Sequence, residues 1–213
     1  MTKRIDEIHN YAYQMMMGDQ TGHGFDHVQR VVNNAKYLLQ NETANADVVL
    51  TTAYLHDVFD DKLTDQPAER KLATRQFLLK LGYATAEIGE ILYIIDHMSF
   101  SANLEQHYDL SMEGQIVQDA DRLDALGALG IARLFSFGGV HQYPMYDPTE
   151  TQVSHTKAEY RKPRATINHY EVRMNEVIKR FNTETGKRVA QHRFEVAKEF
   201  VERFKAEWEN QEI

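Results

Sequence analysis

Residues 51–61 read TTAYLHDVFDD. Ala53, Tyr54 and Leu55 have the pattern of a buried helix, and the run then sets an imidazole, His56, beside a carboxylate, Asp57, with Asp60 and Asp61 following one turn later. Neighbouring helical residues point about 100° apart, so His56 and Asp57 can converge only on something lying beside the helix between them. A divalent metal ion is such an object, since imidazole nitrogen and carboxylate oxygen are both good ligands. The competing reading is structural: Asp57 pairs with a nearby base while His56 packs in the core.

Helical periodicity dominates on both sides of this run. Val28, Val31, Val32, Ala35, Leu38 and Leu39 recur at three- and four-residue intervals; Leu72, Phe77, Leu78 and Leu81 read similarly; Ile88, Ile91, Leu92 and Ile95 fall on one side of residues 86–97. No period-two run stands out. Gly22 and Gly24 precede the first of these helices, Pro67 follows the 51–61 segment, and Gly82 predicts a Schellman-like stop. Gly138, Gly139, Pro144, Pro148 and Pro163 make 138–163 the longest irregular stretch, after which helix resumes from about 165 in two parts separated near 182–187. No repeat, low-complexity tract or compositional shift marks a second domain. The sequence predicts one all-α domain, a helical bundle over residues 1–213.

A chain of 213 residues, 42% hydrophobic and 26% charged, can bury one substantial core. Its formal charge of -8 argues against a sequence-independent grip on nucleic acid, which needs a basic surface, but leaves room for a phosphate ligand where basic residues gather locally. There is no cysteine, so a thiolate nucleophile and Cys-ligated zinc are excluded and any metal must sit on His, Asp or Glu. The N-terminal MTKRIDEIHNYAYQ lacks an apolar signal core and no run of about 18 apolar residues occurs, which makes the cytoplasm the default address and a membrane partner unexpected.

Two further segments carry ligand-type residues. HGFDHVQRVV places His23 and His27 four apart at the start of a helix; if that helix includes both they share a face, and if Gly24 delays it only His27 projects from the helix proper. QIVQDADRLDALGALGIARLF (115–135) brings Asp119, Asp121 and Asp124 to what reads as the start of a largely apolar helix, where Gly127 and Gly130 allow close packing. Carboxylates in such a setting are unfavourable unless paired or metal-bound. Helix capping could account for Asp119 and in part for Asp121, but not for the histidines.

A histidine, then a His-Asp pair, then a later aspartate resembles the pattern of the HD-domain metal-dependent phosphohydrolases: His27 in HVQRVV, His56-Asp57 in LHDVFDD and Asp121 in QDADRLDALGALGIAR. DHMSFS (96–101), the DADRLDALGALG block and the tail from NHYEVRM to EFVERFKAEW extend the likeness over about residues 20–210, to a bacterial stand-alone subgroup similar to nucleotide pyrophosphohydrolases. The resemblance implies an all-helical bundle with its metal-site core in about 20–135 and C-terminal helices in about 165–210. It implies His27, His56, Asp57 and Asp121 as metal ligands, with Mn2+ favoured over Mg2+, Zn2+ or another divalent ion.

The same resemblance implies hydrolysis of a nucleoside triphosphate to monophosphate and pyrophosphate. A phosphomonoesterase or phosphodiesterase using the same site, and a nucleotide-binding module without turnover, are the alternatives. Asp61, or Asp60, is placed to orient or deprotonate water; Lys62 could meet phosphate as a point charge. His97 could ligate a second ion, bind phosphate or act as acid to the leaving group. Arg30 and Arg122 could hold neighbouring carboxylates, with Arg122, His23 and His169 as candidate substrate contacts and 138–163 as a candidate lid with the basic residues Arg161, Lys162 and Arg164 at and just beyond its end. No GxxxxGK[ST] or GxGxxG loop is present, so the usual glycine-rich phosphate cradles are absent and a kinase or dehydrogenase does not fit.

Overall fold

The computed structural model describes residues 2–17, 24–61, 63–100, 103, 106–150, 162 and 164–211. His23, Lys62 and Arg161 lie outside them. Among the described residues the chain is all-α, with α1 (Thr2–Met16), α2 (Phe25–Leu38), α3 (Ala46–Leu55), α4 (Pro67–Lys80), α5 (Thr85–His97), α6 (Met112–Asp124), α7 (Gly127–Val140), α8 (Thr166–Val177), a 3-10 turn (Ile178–Arg180) and α9 (Glu184–Trp208).

Helix α3 is the spine. Every residue from Val48 to Leu55 is buried, because α1, α2, α5 and α6 all pack against it. Asn45 starts it by accepting hydrogen bonds from the Asp47 and Val48 backbone N–H groups. Helix α2 packs against both α3 and α6, which also pack on each other, and its stripe of Val28, Val31, Val32, Ala35 and Leu38 is buried as the periodicity predicts. At the end of α4, Gly82 takes φ +79°; its N–H donates to Leu79 and that of Tyr83 to Leu78, the full Schellman pattern. Leu72, grouped with the α4 core face from sequence, is 58% exposed: only Leu78 of that set is fully buried.

Three boundaries differ from the sequence reading, and each bears on the site. Helix α3 ends at Leu55, so His56–Phe59 form a turn. The 115–135 run is two helices bent by 68°, the break falling at Ala125–Leu126 where Gly127 adopts φ +71°. Asp121 and Asp124 therefore sit in the last turn of α6 and Asp119 just past its middle, so capping of an N-terminus explains none of them, and the helix dipole disfavours the first two. Finally, α7 continues through Gly138 and Gly139 to Val140, and the irregular chain begins at 141. Its described part is tied to α8: Thr166 and Ile167 N–H donate to the carbonyls of Pro144 and Met145, and Asn168 bridges to Asp147. Residues 151–161 and 163 of the candidate lid lie outside the described residues.

The long α9 packs on α6, α7 and α8 and is anchored by Asp119. That fully buried carboxylate accepts from the N–H groups of Asn182 and Thr183 and from the Thr183 hydroxyl at 2.8–2.9 Å. A buried charge is tolerated when its lone pairs are met in this way.

Candidate metal centre

Helix α2 begins at Phe25, with the Gly24 carbonyl accepting from the N–H of His27. Gly24 is thus the N-cap and His27 lies in the first turn of the helix; it is buried in the bundle at 1% exposure, while His23 lies outside the described residues. His56, the C-cap of α3, begins the turn that follows it and is 6% exposed. Asp57 is the next residue in the turn, and Asp121 approaches from α6 with a side chain 31% exposed, the most open of the four.

These side chains converge. His27 Nε2 and His56 Nε2 are 3.1 Å apart. An oxygen of Asp57 lies 3.5 Å from the first and 3.4 Å from the second, and Asp121 Oδ1 lies 3.5 and 4.0 Å from them. Around one ion with bonds of about 2.1 Å, adjacent ligand atoms sit about 3 Å apart and opposite ones about 4 Å, so His27, His56 and Asp57 have the spacing of one coordination sphere, while Asp121 approaches both imidazoles but stands outside that cluster. The tight trio of His27, His56 and Asp57 lies within 4.8 Å throughout.

The far nitrogens fix the tautomers. His56 Nδ1 is 2.8 Å from the Ala53 carbonyl, which can only accept, so Nδ1 carries the proton. His27 Nδ1 is 2.7 Å from Asp124 Oδ2. Burial by itself would push Asp124 up, but hydrogen bonds from His27 and Arg30 and the charge of Arg133 hold it far below the usual carboxylate range. It is therefore ionised and accepts, and His27 donates. Both Nε2 lone pairs consequently face one point, which demands a cation there.

In the metal-free protein a proton supplies it. Burial depresses the His56 pKa, yet the carboxylates of Asp57 and Asp121 overcome this and raise it to about 9. Burial drives His27 down to about 4 despite its bond to Asp124. His56 thus holds the proton and donates it to His27 Nε2. Two imidazole nitrogens and the Asp57 carboxylate, with the Asp121 carboxylate nearby, are a donor set that suits a divalent ion in the same position.

Asp124 was grouped from sequence with the other α6 aspartates and given no role of its own. It is fully buried and is the hub of the site's support: besides His27 it accepts from Arg30 (2.7 and 3.2 Å) and Arg133 (2.8 Å). Arg30 also reaches Asp26, so the expectation that Arg30 holds neighbouring carboxylates is met. The sequence signal for Asp124 was a carboxylate flanked by Leu123, Ala125 and Leu126, a buried charge in need of partners.

The remaining candidates divide. Asp60 is half-buried and Asp61 exposed, both in the turn that follows Asp57. His97 ends α5; its Nδ1 donates to the Tyr93 carbonyl and its ring packs between Tyr93 and Tyr108. Arg122 is 6% exposed; its Nη1 donates to the Arg180 carbonyl, while Asp119 and Asp121 lie in its field. Among the described residues it makes no ion pair with either carboxylate. His169 lies on α8 among arginines, and burial together with Arg173 and Arg164 lowers its pKa to about 4.

Comparison with known proteins finds the HD domain family model matching residues 24–126, which span every one of the four converging side chains. A Lactobacillus plantarum protein of known crystal structure is 40% identical, with 99% of each chain covered and a TM-score of 0.88. The uncharacterized protein YpgQ of Bacillus subtilis is 30% identical over 200 residues, 93% of this chain and 91% of YpgQ; its crystal structure in complex with ADP superposes with a TM-score of 0.76. An HD-superfamily hydrolase of Bacillus thuringiensis is 33% identical, with 98% of each chain covered and a TM-score of 0.73.

Proposed function

Because the chain belongs to the HD-domain family, we propose that it is a metal-dependent phosphohydrolase acting on a nucleoside triphosphate: NTP + H2O gives NMP and pyrophosphate. The observation that carries the reading is the pair of Nε2 lone pairs 3.1 Å apart, flanked by Asp57 and Asp121. Two relatives support it, one crystallised with ADP and one named a hydrolase.

His27, His56, Asp57 and Asp121 hold the ion, with Mn2+ favoured. A divalent ion supplies a lowered water pKa and neutralises phosphate charge. Asp61, or Asp60, orients the water and takes its proton from the turn beyond Asp57. His97 is assigned the proton to the leaving oxygen. Lys62, His23, Arg122 and His169 are assigned to the substrate side, Arg122 through the carboxylates beside it. Asp124 holds His27 in the tautomer that leaves Nε2 free to ligate.

The test is a screen of divalent metals against nucleoside tri-, di- and monophosphates and cyclic nucleotides, with products separated by chromatography. Wild type with Mn2+ should yield monophosphate and pyrophosphate, and the His56→Ala, Asp57→Ala double variant neither. Turnover retained in the double variant removes this centre from the mechanism; orthophosphate as sole product moves the cleaved bond.

A further inference from the structure

Helices α2 and α9 both pack on α6 but scarcely touch one another. The gap between them is a cavity of about 340 Å³, lined by Leu123 of α6, by Asn34 and Tyr37 of α2, and by Arg188, His192 and Arg193 of α9. Asn34 and Tyr37 are three apart and Arg188 and His192 four apart, so each pair shares a helix face. None of the lining side chains is acidic, in a chain whose formal charge is -8. The carboxylates nearest to them along α9 are engaged elsewhere: Glu184 accepts from Lys187 and Glu195 from Gln191.

Among the described residues the side chains of Arg188, His192 and Tyr37 make no hydrogen bond, ion pair or ring contact, and Tyr37 is 46% exposed. A guanidinium fork with an imidazole beside it matches the oxygens of one phosphate, and an open aromatic ring offers a stacking face to a base. The volume is at the lower end of the range of about 300–1,000 Å³ for small-molecule sites, which suits a mononucleotide.

Arg193 ties the cavity to the metal centre. Its Nη1 donates to the Leu123 carbonyl at 2.7 Å and its Nη2 to Asn34 Oδ1 at 3.1 Å, while Asn34 Nδ2 donates to the Ala120 carbonyl at 2.9 Å. Arg193 Cβ also lies 3.2 Å from where a Cβ on Gly127 would stand, so this residue packs on the break that ends α6. Ala120 and Leu123 immediately precede Asp121 and Asp124. A ligand lodged against Asn34 and Arg193 therefore bears on the turn that carries both carboxylates.

We propose that the gap between α2 and α9 is an effector site for a nucleoside monophosphate, which sets its phosphate on Arg188 and His192 and its base against Tyr37. By bridging two helices that barely meet, the ligand firms the last turn of α6 and tightens metal binding. The site itself is independent of the reaction assigned above; only the coupling rests on the metal centre.

The probes are AMP, GMP, CMP and UMP, titrated calorimetrically with EDTA present into the full-length His56→Ala, Asp57→Ala protein, which lacks the metal centre; if that variant does not fold, wild type with EDTA takes its place. At least one monophosphate should bind saturably and at least tenfold more tightly than orthophosphate or its own nucleoside. Arg188→Gln and Tyr37→Ala, both changes to exposed side chains, should each cost at least fivefold in that affinity. In the otherwise native protein the saturating monophosphate should raise Mn2+ affinity at least threefold, and Mn2+ should raise the monophosphate's affinity by the same factor. Arg188→Gln should abolish this effect and leave Mn2+ affinity without nucleotide unchanged. Failure of all four monophosphates to bind, or binding indifferent to both substitutions, overturns the site. Mn2+ affinity that is unchanged or lowered by the bound monophosphate overturns the coupling. If wild type binds no Mn2+ at all, the metal centre falls and the coupling with it, and the calorimetric arm still decides the site.

Discussion

Asp124 Oδ2 lies 2.7 Å from His27 Nδ1, in a setting where neither side chain is more than 1% exposed. That bond sets which nitrogen of His27 is free to ligate, and Arg30 and Arg133 keep the carboxylate in place. Asp124→Asn removes the charge and leaves two guanidinium groups facing an amide. Metal affinity should fall about 10–100-fold, the usual effect of losing a partner behind a ligating histidine. Stability should fall by about 3–5 kcal/mol, as when one member of a buried ion pair is removed. Mn2+ titration and urea unfolding measure the two; wild-type metal affinity in a folded variant would remove Asp124 from the site's support.

The proton held by His56 gives a second prediction. With its pKa raised to about 9, His56 is charged in the metal-free protein at neutral pH, and a metal ion must displace that proton. Calorimetry at pH 7.5 in buffers of different ionisation enthalpy should show about one proton released per ion bound, and the release should vanish as pH rises through the His56 pKa. The stability of the chelated protein follows the same groups. His56, raised, contributes stability that is complete below its unfolded value and lost as pH rises through about 9. His27, lowered to about 4, contributes stability present above its unfolded value and lost as pH falls toward 4. With EDTA the melting temperature should therefore peak near pH 6.5, the reference value for both, and saturating metal should flatten the alkaline side. No proton release at pH 7.5 would contradict the tautomers deduced from Ala53 and Asp124.

Much of this was legible in the sequence, and the rest was hidden for identifiable reasons. The stripe from Val28 to Leu38 and the glycine stop at Gly82 are local patterns, and both appear as read. The convergence of His27 with His56 came from a resemblance, since no local rule relates residues 29 apart. Helix α3 stops at Leu55 without a glycine or proline to announce it, so His56 and Asp57 approach the centre from a turn and not from a helix face. The reading of Asp119, Asp121 and Asp124 as the start of a helix reversed their setting, because the break at Ala125–Leu126 depends on Gly127 taking a positive φ. The role of Asp124 needed Arg30, 94 residues away, to become visible.

The same turn weakens one ground for preferring Asp61 as the group that activates water, namely its place four residues after Asp57 on a helix. What remains is nearness in the chain: Asp61 is exposed and Asp60 half-buried, both within four residues of Asp57. Asp61→Asn should lower kcat by about 10²–10⁴, the usual worth of a general base, with Mn2+ affinity within twofold of wild type. A wild-type kcat would return Asp61 to the solvated surface and leave Asp60→Asn as the variant to measure.

The clamp between α6 and α9 can be tested by a substitution that helix propensity favours. Gly186 lies in the first turn of α9, and a Cβ added there would come 2.4 Å from Asp119 Oδ2 and 2.7 Å from Thr183 Oγ1. Alanine is better than glycine in a helix by about 1 kcal/mol, so propensity alone predicts a gain. The contact instead displaces a buried carboxylate that holds Asn182 and Thr183, and overpacking of this kind costs about 1–3 kcal/mol. Gly186→Ala should therefore lower stability in urea unfolding. Gly89→Ala on α5, where nothing lies within 4 Å of the new methyl, should raise it by up to about 1 kcal/mol. Equal gains at both positions would mean that Asp119 can move without loss, and that α9 is held to α6 by its apolar face alone.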